Sequence, residues 1–174
     1  MKMILSGLEI VKKVAEGKEI IIKPFDAAMV GPNSYDLRLA NRLLVYEDEE
    51  LDMRRESKTQ EVIIPKEGFV LQPGKLYLGS TIEFTETLGY VPMLEGRSSL
   101  GRLGISIHVT AGFGDVGFSG NWTLEIHALS KVRIYAGERV CQIYYHKIEG
   151  EYIPYQGKYQ GSAGVKASMK HKDK

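Results

Sequence analysis

What this chain lacks narrows it first. One cysteine, Cys141, among 174 residues excludes an internal disulfide framework and any cysteine-rich zinc site. No apolar run comes near the roughly 20 residues that a membrane-spanning helix needs, so no membrane partner is expected. The opening MKMILSGLEIVKK has too short an apolar stretch to read as a signal peptide, and a cytoplasmic location is the expectation. An excess of one charge is missing too. Lys and Arg number 23 against 22 Asp and Glu, for a net charge of +1. That balance offers nucleic acid no general attraction. The four histidines, His108, His127, His146 and His171, are scattered, and none stands in HxE, HExxH or another metal spacing. No internal repeat is present.

What is there fits one domain with a sizeable core, since 43% of the residues are hydrophobic. Ser6 reads as a helix N-cap, with Glu9 three residues on and Leu5 and Ile10 placed as a hydrophobic staple. Leu8, Val11 and Ala15 recur at helical spacing up to Gly17, so residues 6–16 are expected to form a short amphipathic helix on that stripe. Beyond it the texture is β. EIIIKPF is a β-branched run ended by Pro24, and PNSYDLRLANRLLVYE reads as a turn and a strand. DEELDMRRESKT reads as a solvated loop. EVIIP and FVLQPGKLYLGSTIEFTE are strand-like, and VRIYAGERVCQIYYHKI adds two strands around a turn at 136–137. Cys141 sits in an apolar strand pattern and reads as a buried structural thiol. With 19 glycines and strands every 8–12 residues, the expected fold is mainly β, a sandwich or barrel. The domain is expected over residues 1–154. The tail, 155–174, is poor in aliphatics; it suits either a disordered end or a flap that orders over an anionic ligand.

Residues 95–128 gather the polar groups. In GISIHVTA, Ile105, Ile107 and Val109 alternate with Ser106, His108 and Thr110. AGFGDVGFSG then breaks the strand with glycines around Asp115. In NWTLEIHA, Trp122, Leu124 and Ile126 face one way and Asn121, Thr123, Glu125 and His127 the other. The pattern reads as a hairpin with a polar face. Glu125, flanked by apolar neighbours, suits a partly desolvated general base; an edge-strand carboxylate facing water fits the spacing equally. Asp115 suits a turn residue, a ligand for a sugar hydroxyl, or a carboxylate near a metal. In RSSLGR, Ser98 and Arg102 are four apart and share one side of a helical turn. With Arg97, Ser99 and the backbone N–H groups through Leu100 and Gly101, they suit a phosphate chain or a capped surface turn.

RSSLGRLG, HVTAGFGDVGFSG and TLE, with GPNSYDLRLANRL before them and GKYQGSAG after, resemble in order and interval the dCTP deaminases of the dUTPase-like superfamily. The resemblance spans nearly the whole chain. It implies a distorted jelly-roll-like β-barrel or sandwich, with a short N-terminal helix and a helical turn at RSSLGR. It also implies a homotrimer with active sites at subunit interfaces. By the resemblance, Glu125 takes a proton from a water that attacks C4 of cytosine, then delivers protons to N3 and the departing ammonia. Ser98 helps position that water, and Arg102 lies beside the glutamate. His108, Val109, Thr110 and Ala111 contact base and water, partly by main chain. Asp115 lies near the deoxyribose, and Thr123, Leu124 and Gln142 match nucleotide-contacting positions. Tyr155 and Lys158 match base- and phosphate-contacting residues of a closing tail, where Ser162 stands in place of the usual glutamine and Gln160 is a second candidate.

The implied substrates are dCTP and dUTP, with dTTP as a candidate feedback inhibitor. One cysteine cannot build the His/Cys/Cys site of the zinc nucleobase deaminases, so no zinc is expected. Mg2+ is expected on the phosphates of the triphosphate, with no protein ligand assigned to it. Members that stop at dUTP carry a His-Arg pair after the Thr-Ala, where this chain has Gly112 and Phe113. The TAGF form resembles bifunctional members that go on to dUMP and pyrophosphate. Those read GFID, and Gly114 in place of the isoleucine is expected to loosen the loop. The alternatives are a deaminase that stops at dUTP, a plain dUTPase, whose tail and hairpin differ from KYQGSAG and Phe118, and a non-catalytic nucleotide sensor lacking the glutamate.

Overall fold

The computed structural model describes residues 3–108 and 110–173. Ser6 caps the first helix, α1 (Gly7–Glu16), its Oγ accepting the Glu9 N–H at 3.3 Å, and Gly17 ends it in the left-handed conformation at φ 63°. The buried stripe differs from the expected one. It runs through Gly7 and Ile10, with Val14 half-buried, while Ala15 is exposed and Leu8 is 84% exposed. Gly7 explains the rotation. Its N–H donates to Pro32 O at 2.8 Å, and a Cβ there would stand 1.9 Å from Gly31 O. Only a glycine lets the helix lie this close to the chain beneath it.

The strands are β1 (Ile20–Lys23), β2 (Tyr35–Arg38), β3 (Arg42–Tyr46), β4 (Thr59–Ile63), β5 (Phe69–Leu71), β6 (Tyr77–Thr87), β7 (Tyr90–Gly96), β8 (Ile105–Ile107), β9 (Ser119–Ala128), β10 (Val132–Ile134) and β11 (Arg139–Lys147). PNSYDLRLANRLLVYE makes two strands, β2 and β3, which enter different sheets. The larger sheet runs β4-β3-β6-β9-β8, with β1 also on β6; the others are β2-β11-β7 and β10-β5. Every strand pairing is antiparallel. The arrangement is a sandwich of open sheets rather than a closed barrel. β6 explains the open form, because it pairs with β3 at Leu78 and with β1 from Phe84 to Thr87. The sheet therefore forks instead of curling back on itself.

The core joins Leu37, Cys141 and Ile143 of the smaller sheet to Leu43, Leu124 and Ile126 of the larger one, all at most 1% exposed. Each such aliphatic side chain contributes about 1.5–3 kcal/mol by leaving water. Burial also pushes the Cys141 thiol well above the usual cysteine range, which makes it inert at neutral pH. One inward group is charged. A register shift between Ser80 and Phe84 turns β6 so that Thr81, Glu83 and Thr85 point inward and Ile82 outward. Glu83 is fully buried and takes the Arg38 Nε–H at 2.6 Å and the Arg38 backbone N–H at 2.8 Å. That bond raises the guanidinium above its usual range.

Candidate active site

The hairpin at the centre of the chain forms as its alternation requires. β8 and β9 pair Ile105 with Ala128, Ser106 with His127 and Ile107 with Ile126. Trp122, Leu124 and Ile126 are buried, while Asn121, Thr123 and Glu125 stand half-buried on the opposite face. The first strand is shorter than GISIHVTA. It stops at Ile107, because His108 turns into the left-handed region at φ 56°. That turn brings His108 onto the glutamate. Its backbone N–H donates to Glu125 O at 3.1 Å, and its Nδ1 lies 2.5 Å from Glu125 Oε2. An ionised carboxylate can only accept, so the imidazole proton sits on Nδ1. His108 Nε2 is buried without a protein partner among the described residues. Glu125 keeps about a third of its side chain exposed, 36%.

Glu125 opens into a cleft of about 470 Å3. β9 supplies Asn121, Trp122, Thr123 and Glu125, and the loop before it supplies His108, Ala111, Phe113, Gly114 and Asp115. Tyr46 of β3 and Leu78 of β6 close another side. The tail forms the last wall, with Tyr155, Tyr159, Ser162 and Lys166. It is held there by backbone bonds along β9: Gly161 N–H to Ser119 O at 2.8 Å and Asn121 N–H to Ser162 O at 2.9 Å. Farther along, the Lys166 N–H donates to Thr123 Oγ1 at 3.0 Å. Gln160 spends its amide on the hairpin, donating to Gly117 O at 2.7 Å and accepting from Ser119 N at 3.0 Å. Ser162, not Gln160, therefore faces the cleft.

Other expected site residues lie apart from it. RSSLGR forms α2 (Ser98–Gly101), flanked by Arg97 and Arg102. Arg97, Ser99 and Leu100 border a second hollow of about 470 Å3 whose floor includes Leu39 and Ile107. Arg97 is paired with Asp36, which also accepts from Arg139 at 3.3 Å. Gln142, nearby on β11, accepts from Ser34 at 3.3 Å. Neither Ser98, Arg102 nor Gln142 borders the Glu125 cleft. Lys158 is also outside it, paired with Asp173; that lysine, with Lys170, pulls the Asp173 carboxyl down to about 2. The Leu124 side chain belongs wholly to the core. Thr110 is exposed and borders a third hollow beside Glu95 and Gly112. Val109 lies outside the described residues. Among the described residues of one chain, then, the cleft borders hold one lysine and no arginine.

Two wall residues carry a signal that alternation alone does not interpret. Asn121 shares the face of Thr123 and Glu125, and its side chain binds Thr81 O at 3.1 Å and the Gly164 N–H at 3.1 Å, so it anchors both sheet and tail. Trp122 sits on the apolar face yet reaches the cleft. Tyr46, Tyr159 and Lys166 had no local signal, because chain folding alone brings them there. Gly114 is not a loosened position. Its N–H donates to Pro92 O at 2.9 Å, and Gly112 O accepts from Leu94 N at 2.7 Å, so the loop is stitched to β7. Among the described residues no three His, Cys, Asp or Glu side chains cluster as a metal site. Asp115 is, among the described residues, the one carboxylate besides Glu125 that borders the cleft.

A family model described as dCTP deaminase-like matches residues 4–148. The chain belongs to the dCTP deaminase-like family. It is 59% identical over 172 residues to a dCTP deaminase, dUMP-forming, of Clostridium acetobutylicum, with 98% of each chain covered. Proteins of the same description in Cytophaga hutchinsonii and Leptospira biflexa are 58% and 54% identical over the same length. Among solved structures, the 2'-deoxycytidine 5'-triphosphate deaminase of Agrobacterium tumefaciens superposes with a TM-score of 0.66 at 22% identity. That match takes in 84% of this chain and 48% of the other, and it bears on the fold alone. Family membership gives the hairpin glutamate its context: the deaminase-like match ends just before the tail that walls its cleft.

Proposed function

We propose that this protein deaminates dCTP without zinc and then hydrolyses the phosphoanhydride, consuming two waters to give dUMP, pyrophosphate and ammonia. The observation that carries the reading is Glu125, held by His108 on one oxygen and open to a cleft, in a chain 59% identical over its length to a dUMP-forming dCTP deaminase. The roles follow from the chemistry. The carboxylate accepts a proton from a water that attacks C4 of the cytosine. It returns that proton to N3, then takes the proton of the new C4 hydroxyl and passes it to the amino group, so that collapse of the tetrahedral adduct to the C4 carbonyl expels ammonia. Glu125 must be ionised to begin, and the His108 Nδ1, 2.5 Å from Oε2, holds the carboxylate in place. Asp115, which also borders the cleft, suits the sugar hydroxyl.

A triphosphate needs more positive charge than this cleft holds. The RSSLGR turn, with Arg97, Ser98, Ser99 and Arg102, and the nearby Gln142 face away from their own Glu125. They suit completing the site of a neighbouring copy, so we place the active sites between subunits of a homotrimer. Two carboxylates alone are too few to cage a divalent ion. They suit Mg2+ carried on the nucleotide's own oxygens, as small hard cations with retained waters are usually held. When bound, Mg2+ screens the phosphate charge and makes the phosphorus more open to attack. The reaction would serve dUMP supply in the cytoplasm.

The test is a product assay with dCTP and Mg2+. Ammonia and dUMP should appear together, with no free dUTP building up. Accumulating dUTP would mean a deaminase that stops there. Cleavage of added dUTP with no ammonia from dCTP would mean a dUTPase.

A further inference from the structure

We propose that Trp122 and Gly114 are a matched pair that positions the loop carrying Asp115, so that the indole sets how deep the nucleotide sits opposite Glu125. A Cβ on Gly114 would stand 2.4 Å from Trp122 Cη2, 2.8 Å from Pro92 O and 2.9 Å from Pro92 Cγ. Real Cβ atoms do not approach that closely, so the far ring of the indole occupies the volume that a side chain at 114 would need. A side chain at 114 cannot coexist with Trp122 in this arrangement.

The indole is itself fixed. It is 7% exposed, its Nε1–H donates to Thr85 Oγ1 at 2.8 Å, and its backbone N–H donates to Thr81 Oγ1 at 3.0 Å. Both threonines point inward because of the register shift in β6. The ring packs on Phe118 at 4.8 Å and stands edge-on to His108 at 6.3 Å. It therefore touches both partners of the chemistry: the loop that ends at Asp115 and the imidazole that holds Glu125. Gly114 and Trp122 both border the cleft. They are positioning residues, which need make no bond to the reacting atoms.

The inference rests on the cleft being the nucleotide site. A double-mutant cycle tests it: Gly114→Ala, Trp122→Leu and the double variant, each in a Glu125→Gln background so that bound dCTP or dUTP, with Mg2+, is not consumed during calorimetric titration. Gly114→Ala should weaken nucleotide binding about tenfold, and adding Trp122→Leu should recover part of that loss, because contacting residues couple while the approach to Pro92 O remains. Affinities are read well below each variant's melting temperature, where a merely structural role leaves them unmoved. Additive effects, or wild-type affinity in Gly114→Ala, would overturn the pairing. Should Gly114→Ala not fold, the same coupling is read from emission of Trp122, the only tryptophan. Saturating nucleotide should shift it in the otherwise unaltered Glu125→Gln protein, and an unchanged spectrum would overturn the proposal. Binding with intact coupling but no ammonia from the native enzyme would sink the deaminase reading and leave the pair standing; absence of any nucleotide binding would overturn both.

Discussion

Replacing Glu125 by glutamine separates chemistry from structure in this protein. The amide is nearly isosteric, and its carbonyl oxygen can still accept the Nδ1–H of His108 that lies 2.5 Å from the native Oε2. What disappears is the ability to take a proton from water. The stability cost is set by one hydrogen bond that changes from charge-assisted to neutral at a side chain 36% exposed, about 1 kcal/mol at most. For a chain of this size that is a fall in Tm of roughly 2–4 °C. The catalytic cost is larger. General acid–base groups contribute about 10²–10⁴-fold, and among the described residues Asp115, in a different segment, is the other carboxylate that borders the cleft. We expect ammonia release, followed by coupled oxidation of a nicotinamide cofactor, to fall about a thousandfold, while dCTP affinity stays within about threefold. A variant that retained a tenth of native deamination would refute the role of Glu125 as the base. A loss of affinity equal to the loss of rate would instead make it a binding group.

Two further outcomes follow from other contacts. Arg38→Leu leaves the Glu83 carboxylate, fully buried, without its 2.6 Å partner, and should cost about 3–5 kcal/mol in denaturant unfolding; a loss under 1 kcal/mol would show that water or another cation takes the place of the guanidinium. The Asp173 carboxyl is pulled down to about 2 by Lys158 and Lys170. A depressed carboxylate stabilises above its unfolded value, near 4, and the contribution is lost as pH falls through the folded value. Hydrogen exchange in residues 155–173 should therefore be indifferent to pH-linked loosening between pH 8 and 5, and speed up, relative to the intrinsic rate, only below about pH 4. Extra opening already at pH 6 would mean that another group controls the tail.

Much of this was legible in order. The period of two in NWTLEIHA put Thr123 and Glu125 on one face, and β9 keeps that register. The cap at Ser6 and the turn at RSSLGR form where spacing placed them. These are local consequences of backbone geometry, which a few residues suffice to determine. The helix stripe was misread because apolarity favoured Leu8, whereas close approach to Gly31 selects the face with Gly7. The strand in GISIHVTA ends early, at Ile107, because alternation says nothing about a histidine that turns with positive φ to meet a glutamate 17 residues away.

Composition and spacing alone thus gave the β class, the hairpin and the face that carries Glu125, and left too few cysteines for a cysteine-built zinc centre, because each depends on residue type and short-range periodicity. Tertiary structure decided the rest. The register shift in β6 sends Thr81, Glu83 and Thr85 inward against ordinary preference, and only the presence of Arg38 and Trp122 across the gap makes that favourable. The same contacts convert Gly114 from an apparent weakness in a loop into the one residue that fits above the indole. Which of the expected groups share a cleft was likewise a matter of distant chain segments meeting. β9, the 111–115 loop and the tail converge on Glu125, while the RSSLGR turn faces outward from the same chain.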